Sequence, residues 1–274
     1  QERTGEDLAK AIKTLHEENK GPFKGFVLDL RNDPGGLLNG AVGVSAAFLP
    51  KGELVVYTEG RAADSKMQLT AVPENYARGG NANDYIRDLP EDIKTVPMAV
   101  LINSGSASAS EIVAGALQDH KRAAVVGTQS FGKGSVQTIM PMNNGAAIKL
   151  TTARYFTPKG RSIQAKGIVP DYIVEDGTDQ SGNIHEADLS RHLSNPKDEK
   201  QKGEKQAEQA NKSTTNAAKE AAKEKLNEKK FAEPPAPIEP ASKDDIQFVQ
   251  AMNLLKGLPV KTDAPAKVEE AKAN

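Results

Sequence analysis

The 274-residue chain contains no cysteine. Disulfides, thiol nucleophiles and cysteine-held zinc are therefore excluded. A basic excess is missing as well: 36 Lys and Arg stand against 37 Asp and Glu, a formal net charge of −1. Without surplus positive charge the chain has little with which to neutralise a run of phosphates, so no nucleic-acid partner is expected. No apolar run reaches the roughly 18 residues that a bilayer-crossing helix needs. The first residue is Gln1, with no Met and no signal-peptide pattern after it, which reads as a mature piece or a fragment. Histidines number only four (His16, His120, His185 and His192), and none lies in a Ser-rich or Gly-rich stretch. A histidine-activated nucleophile has little support.

Length fits one large domain or two small ones. A mean hydropathy of −0.56 is polar for a fully globular chain, and the polarity is concentrated after Asp176. Thr4 is placed to cap a first helix carrying Leu8, Ala11, Ile12 and Leu15 at helical spacing. An apolar run at 25–30 predicts a buried strand, followed by the turn Asn32-Asp-Pro-Gly-Gly36. A second helix over 38–48 ends before Pro50, strands are expected at 54–58, 98–102 and 123–127, and a helix over 108–121. Asn143-Asn-Gly145 between two apolar segments marks a hairpin of strands 134–142 and 146–156. Strands alternating with helices, plus one late hairpin, predict an α/β fold with a mixed sheet.

The organisation expected from composition is a core over 1–178, with 61–95 as an inserted loop or flap. A low-complexity linker follows over 179–240, rich in Lys, Glu, Ala and Gln and then in proline. An amphipathic helix over 241–260 carries Phe248, Val249, Met252 and Leu255, and a polar tail covers 261–274. Such a helix is expected to dock, on its own core or, the preferred reading, on a second subunit.

What is present is a set of small-residue segments around Ser108 and Lys133. They read Asn103-Ser-Gly-Ser-Ala-Ser-Ala-Ser-Glu-Ile112 and Phe131-Gly-Lys-Gly-Ser-Val-Gln137. A serine hydroxyl needs a base before it attacks, and lysine is a known alternative to histidine. Ser108-Ala-Ser-Glu111 also matches a capping box, so the plain reading is a helix start. The two readings share a geometry, because a helix N-terminus offers free N–H groups to an oxyanion. Lys133 would ordinarily be a solvated surface residue; its glycine flanks in an apolar stretch fit a desolvated, neutral base instead. On a strand from Gly134, Lys133, Ser135 and Gln137 would share one face, letting Gln137 hold the lysine. The Gly35-Gly36 pair after a buried strand is by default a turn, and can supply an oxyanion donor. Asp29 and Arg31 read as a structural pair.

Residues 25–38, 100–112, 127–137 and 150–174, in this order, resemble the carboxy-terminal processing (tail-specific) serine proteases of bacteria. The last of these segments runs Leu150-Thr-Thr-Ala-Arg-Tyr-Phe-Thr-Pro-Lys-Gly-Arg and on to Val174. The resemblance implies a crotonase/Clp-like α/β mixed-sheet core and cleavage of protein or peptide substrates near exposed C-termini, without ATP, through an acyl-enzyme. It implies Ser108 as nucleophile, Lys133 as general base and Gln137 as its orienting partner. The oxyanion hole falls on the backbone of Ala109 and on Gly35 or Gly36. No cofactor or metal is implied. A homo-oligomer, an activator or adaptor protein, and a periplasmic or cell-envelope location are. The PDZ module that precedes this core in the family has no counterpart ahead of Gln1. Two rival readings are a non-proteolytic binding protein on a related fold and a crotonase-type acyl-CoA enzyme, which shares an oxyanion hole but needs no serine.

Overall fold

A computed structural model describes residues 3–62, 65–77, 83–176, 184–190, 192–196 and 239–263. The elements run α1 (Thr4–Asn19), β1 (Phe26–Asp29), α2 (Leu38–Phe48), β2 (Leu54–Gly60), β3 (Gln68–Thr70), α3 (Pro73–Tyr76), β4 (Met98–Ile102), α4 (Ala109–Asp119), β5 (Ala124–Gly127), β6 (Ser135–Pro141), β7 (Ala147–Phe156), β8 (Tyr172–Ile173) and α5 (Ile246–Leu255). The strands form two sheets rather than one. Strands β1-β4-β5-β8 make a parallel sheet, and β3-β2-β7-β6 an antiparallel one.

β4 explains the layering. All five of its residues are buried, as a strand covered on both faces must be. Its alternate side chains serve two cores. Met98, Val100 and Ile102 join a large cluster with α1, α2 and α4, while Ala99 and Leu101 join a smaller one with Val126, Val174, Ala251 and Phe248. Phe48, wholly buried in the larger cluster, would cost about 3–5 kcal/mol if cut to alanine.

The structure departs from the sequence expectations at definite places. The first helix is N-capped by Arg3, and Thr4 is already helical. Within the expected 61–95 flap, the described residues contribute Tyr76, Ile86, Leu89 and Ile93 to the large core. Their spacing follows no helical or strand period, because a short helix, a 3₁₀ turn and loops carry them. Part of the expected 179–240 linker also packs on the core. Glu186 donates its N–H to Phe131 O at 2.9 Å, and the buried Asn195 donates Nδ2 to Gln164 O at 2.8 Å. This segment is held by polar groups, which hydropathy does not register. Residues 179–183, 191, 197–238 and 264–274, the rest of the expected linker and tail, lie outside the described residues.

The C-terminal helix packs on its own chain, the first of the two docking modes expected from the sequence. α5 lies against β4 and β5, and the face it buries differs from the expected stripe. Gln247, Gln250 and Ala251 are buried, and Phe248, Leu254 and Leu255 pack alongside. The two glutamines go inward because they find partners: Gln247 Nε2 donates to Val174 O at 2.8 Å, and Gln250 Oε1 accepts from Lys261 N at 2.8 Å.

Candidate active site

Ligand sites in parallel α/β sheets form beyond the carboxyl ends of the strands. Three such ends converge here, and each leads into one of the segments singled out in the sequence. β1 runs into residues 30–36, β4 into 103–108, and β5 into 128–133. Hydrogen bonds lace the three loops together. Asn103 Oδ1 accepts from Asn32 N at 2.9 Å, and its Nδ2 returns a bond to Asn32 Oδ1 at 3.0 Å. Ser106 Oγ donates to Leu30 O at 2.8 Å, Ala107 N to Asp33 O at 3.0 Å, and Phe131 N to Ser106 O at 3.0 Å.

Ser108 sits at φ 56°, ψ −111°, immediately before α4. A side-chain-bearing residue rarely occupies this region, and such strain persists only where surroundings fix it. The capping box read from the sequence is present. Its Glu111 half does more than cap. Glu111 Oε2 accepts from Ser108 N at 2.7 Å and from Lys133 N at 2.9 Å. Oε1 accepts from Ser130 Oγ and Gly132 N, both at 2.6 Å. One oxygen thus ties the Ser108 backbone to the Lys133 backbone, although 22 residues separate Glu111 from Lys133. The carboxyl is fully buried. Burial pushes its pKa up to about 7, against the four donors that hold it down. Sequence reasoning saw Glu111 only as a capping partner; nothing local to the motif signals the second loop.

Gly35 (φ 86°) lies against the serine turn. A Cβ there would stand 2.5 Å from Ala107 O, 2.6 Å from Ala109 N and 3.1 Å from Ser108 Cβ. Its own N–H donates to Asp33 Oδ1 at 3.0 Å. The N–H groups of Gly36 and Ala109 have no partner among the described residues. Both residues line a cavity of about 340 Å³ together with Leu28, Leu37, Ala41, Val44 and Val113.

Lys133 is half-buried in the loop before β6. Its glycine neighbours are explained by close approach: a Cβ on Gly134 would run into the backbone of Gln164, whose Oε1 accepts the Gly134 N–H at 3.1 Å. β6 begins at Ser135, not Gly134, so Lys133 precedes the strand and the period-two argument reaches only Ser135 and Gln137. Gln137 is exposed opposite Thr151, just past a register slip after Val136. No hydrogen bond joins it to Lys133 among the described residues. Asp29 and Arg31 do pair, with Arg31 Nη2 at 2.7 Å from Asp29 Oδ2. Each histidine has a partner other than Ser108: His16 near Asp92, His120 on Leu54 O, His192 on Leu189 O, and His185 on Ser130 O in the loop that carries Lys133.

Residues 1–174 match the family model described as Peptidase family S41. The chain belongs to peptidase family S41. It is 52% identical over 177 residues to a carboxy-terminal-processing protease of Bartonella bacilliformis, covering 64% of this chain and 36% of that protein. To a carboxyl-terminal-processing protease of Synechocystis it is 38% identical over 169 residues, covering 62% and 34%. The structure matches a solved photosystem II D1 C-terminal processing protease with a TM-score of 0.50 and 32% identity, over 63% of this chain and 39% of that one. The matched region thus spans about a third of the length of these two curated relatives. The S41 chain has the α/β core, with parallel and antiparallel sheets, that the resemblance implied.

Proposed function

We propose that this S41 chain is the catalytic part of a serine endopeptidase that cleaves protein substrates near their C-termini, independently of ATP, through a Ser108 acyl-enzyme. The observation that carries the reading is the Glu111 staple, which holds the Ser108 and Lys133 backbones on one carboxylate oxygen. In the proposed reaction Lys133 Nζ takes the Ser108 proton as Oγ attacks the scissile carbonyl. The N–H groups of Ala109 and Gly36 receive the oxyanion, since the Gly35 N–H is already given to Asp33. Lys133 then returns the proton to the leaving amine, and water hydrolyses the ester. Gln137 is the proposed orienting partner of the lysine. The cavity beside Gly36 takes an apolar substrate side chain. The names of the relatives support C-terminal processing as the substrate class. By the same family resemblance the protein works at the cell envelope, as a homo-oligomer with an activator or adaptor.

A fluorophosphonate probe tests this. Ser108 should be labelled in the parent chain and not in Lys133→Arg. Labelling that survives the arginine would remove lysine as base. An unlabelled Ser108 with tight binding of an acyl-CoA would favour the crotonase-type rival, and neither result would leave the binding-protein reading.

A further inference from the structure

We infer that the C-terminal helix α5 is part of the active-site scaffold, and that Arg31 and Asp245 are positioning residues that fix the loop carrying Gly35 and Gly36. The inference rests on the reading of Gly36 as an oxyanion donor. Arg31 ends the turn out of β1, and its guanidinium is gripped from both sides. Nη1 and Nη2 meet the two oxygens of Asp245 at 2.8 and 2.7 Å, a bidentate pair, while Nε and Nη2 meet Asp29 at 3.0 and 2.7 Å. Nη1 also donates to Gln247 Oε1 at 3.2 Å. The pair is deep: the Arg31 side chain is 13% exposed and that of Asp245 only 2%.

Asp245 is itself the N-cap of α5, accepting Phe248 N at 3.0 Å, and it accepts Ala241 N at 3.0 Å. Gln247 ties the same helix start to Val174 O. The partners lie 214 residues apart in sequence, so α5 is a separate strap whose N-cap is tied to the turn after β1. A buried ion pair stabilises little compared with apolar packing, but it fixes an orientation. From Arg31 that orientation is handed on through rigid steps. Asn32 is held twice by Asn103, Asp33 O accepts Ala107 N, and Asp33 Oδ1 accepts Gly35 N. Gly35 then lies against Ser108 Cβ and Ala109 N. Loosening Arg31 should therefore let the Gly36 N–H drift from the place where charge develops, and a misplacement on the order of 1 Å lowers rate steeply.

The test uses the full 274-residue chain. Asp245→Asn keeps a cap acceptor for α5 but removes the charge that grips Arg31. Leu254→Ala loosens the apolar face of α5 without touching Arg31. Three readouts are taken: amide exchange at Asp33 and Gly35, whose N–H groups are bonded to Leu30 O and Asp33 Oδ1, the rate of fluorophosphonate labelling of Ser108, and kcat and KM on a peptide. Asp245→Asn should speed loop exchange and slow labelling, each about tenfold, with the loss in kcat rather than KM. Leu254→Ala, compared at equal stability, should change neither by more than about twofold. Arg31→Lys keeps the charge but not the bidentate fork, and should follow Asp245→Asn. Should Asp245→Asn fail to fold, Gln247→Met loosens the same guanidinium more mildly and is read the same way. Unchanged loop exchange and labelling in these variants would overturn the inference. A parent chain whose Ser108 takes no label would instead overturn the nucleophile reading, while loop exchange would still decide whether α5 holds the loop.

Discussion

Ser108 and Lys133 approach each other from opposite kinds of structure. The serine turn follows β4, whose residues are all buried between two helical layers. Lys133 precedes β6, whose last five residues are exposed, with Ile139 at 67%. Among the described residues β6 is an edge strand, paired with β7 alone. The serine side is therefore fixed by core packing, and its precision comes with the fold. On the lysine side, position depends on a few polar staples: Glu111 on the Lys133 and Gly132 N–H groups, and Gln164 on Gly134. If the two residues act together as proposed, a pair divided in this way can hold its serine rigid while the lysine side responds to what binds along the edge strand.

The largest expected effect ignores that division. Ser108→Ala and Lys133→Arg should each lower kcat by at least about 10⁴-fold, since paired groups that act as a unit lose nearly everything when either is removed. Near-normal peptidase activity in the arginine variant would break the dyad. Gly35→Ala comes next. Its positive φ and the nearness of Ala107 O and Ala109 N leave no room for a methyl group. The serine turn would have to shift, costing about 10²–10³-fold in kcat. A fully active alanine variant would show that this side is less rigid than its packing implies.

The contrast also marks where the sequence was readable. β4 declares itself by an unbroken apolar run, and α4 by a capping box, so the buried half of the site was legible down to Ser108. The staples were not. Glu111, Gln164 and Asn195 are buried polar residues whose partners lie 22, 30 and 31 residues away in the chain. No local period announces such a pairing, because only the tertiary fold brings donor to acceptor. The same blindness hid the docking of 184–190 and 192–196 and the inward-facing Gln247 of α5, both held by hydrogen bonds and not by apolar area.

Glu111 offers a sharper probe of the joint between the two halves. Burial raises its folded pKa to about 7, above the roughly 4.3 of an unfolded glutamate. Its contribution to stability is therefore complete below about pH 4 and lost as pH rises through about 7. Glu111→Gln removes the titration. The stability advantage of the parent over this variant, measured by urea unfolding, should shrink by roughly a few kcal/mol between pH 4.5 and pH 8. The ionised form, which alone accepts all four donors, should hold the lysine best, so activity should rise over the same window. An advantage that grew with pH would mean that the four donors win and the carboxylate is ionised throughout.

The smallest effect is expected at the far end of the β6–β7 hairpin. Ile139, Met140, Met142, Ile148 and Leu150 are 44–67% exposed. Met140 faces Ile148 across the strands, and Thr138 faces Leu150. Side chains this open contribute little to folding, and surface substitutions away from caps and buried groups usually stay within about 0.5 kcal/mol. A Met140→Lys/Ile148→Glu double variant should therefore unfold at the urea midpoint of the parent, while the fluorophosphonate labels Ser108 at an unchanged rate. Met140 and Ile148 are directly opposite, so the new charges also attract across the strands, which further limits any loss. A destabilisation above about 1 kcal/mol would mean that this ribbon belongs to the folding core after all. The division between a rigid serine side and a loosely supported lysine side would then have to be given up.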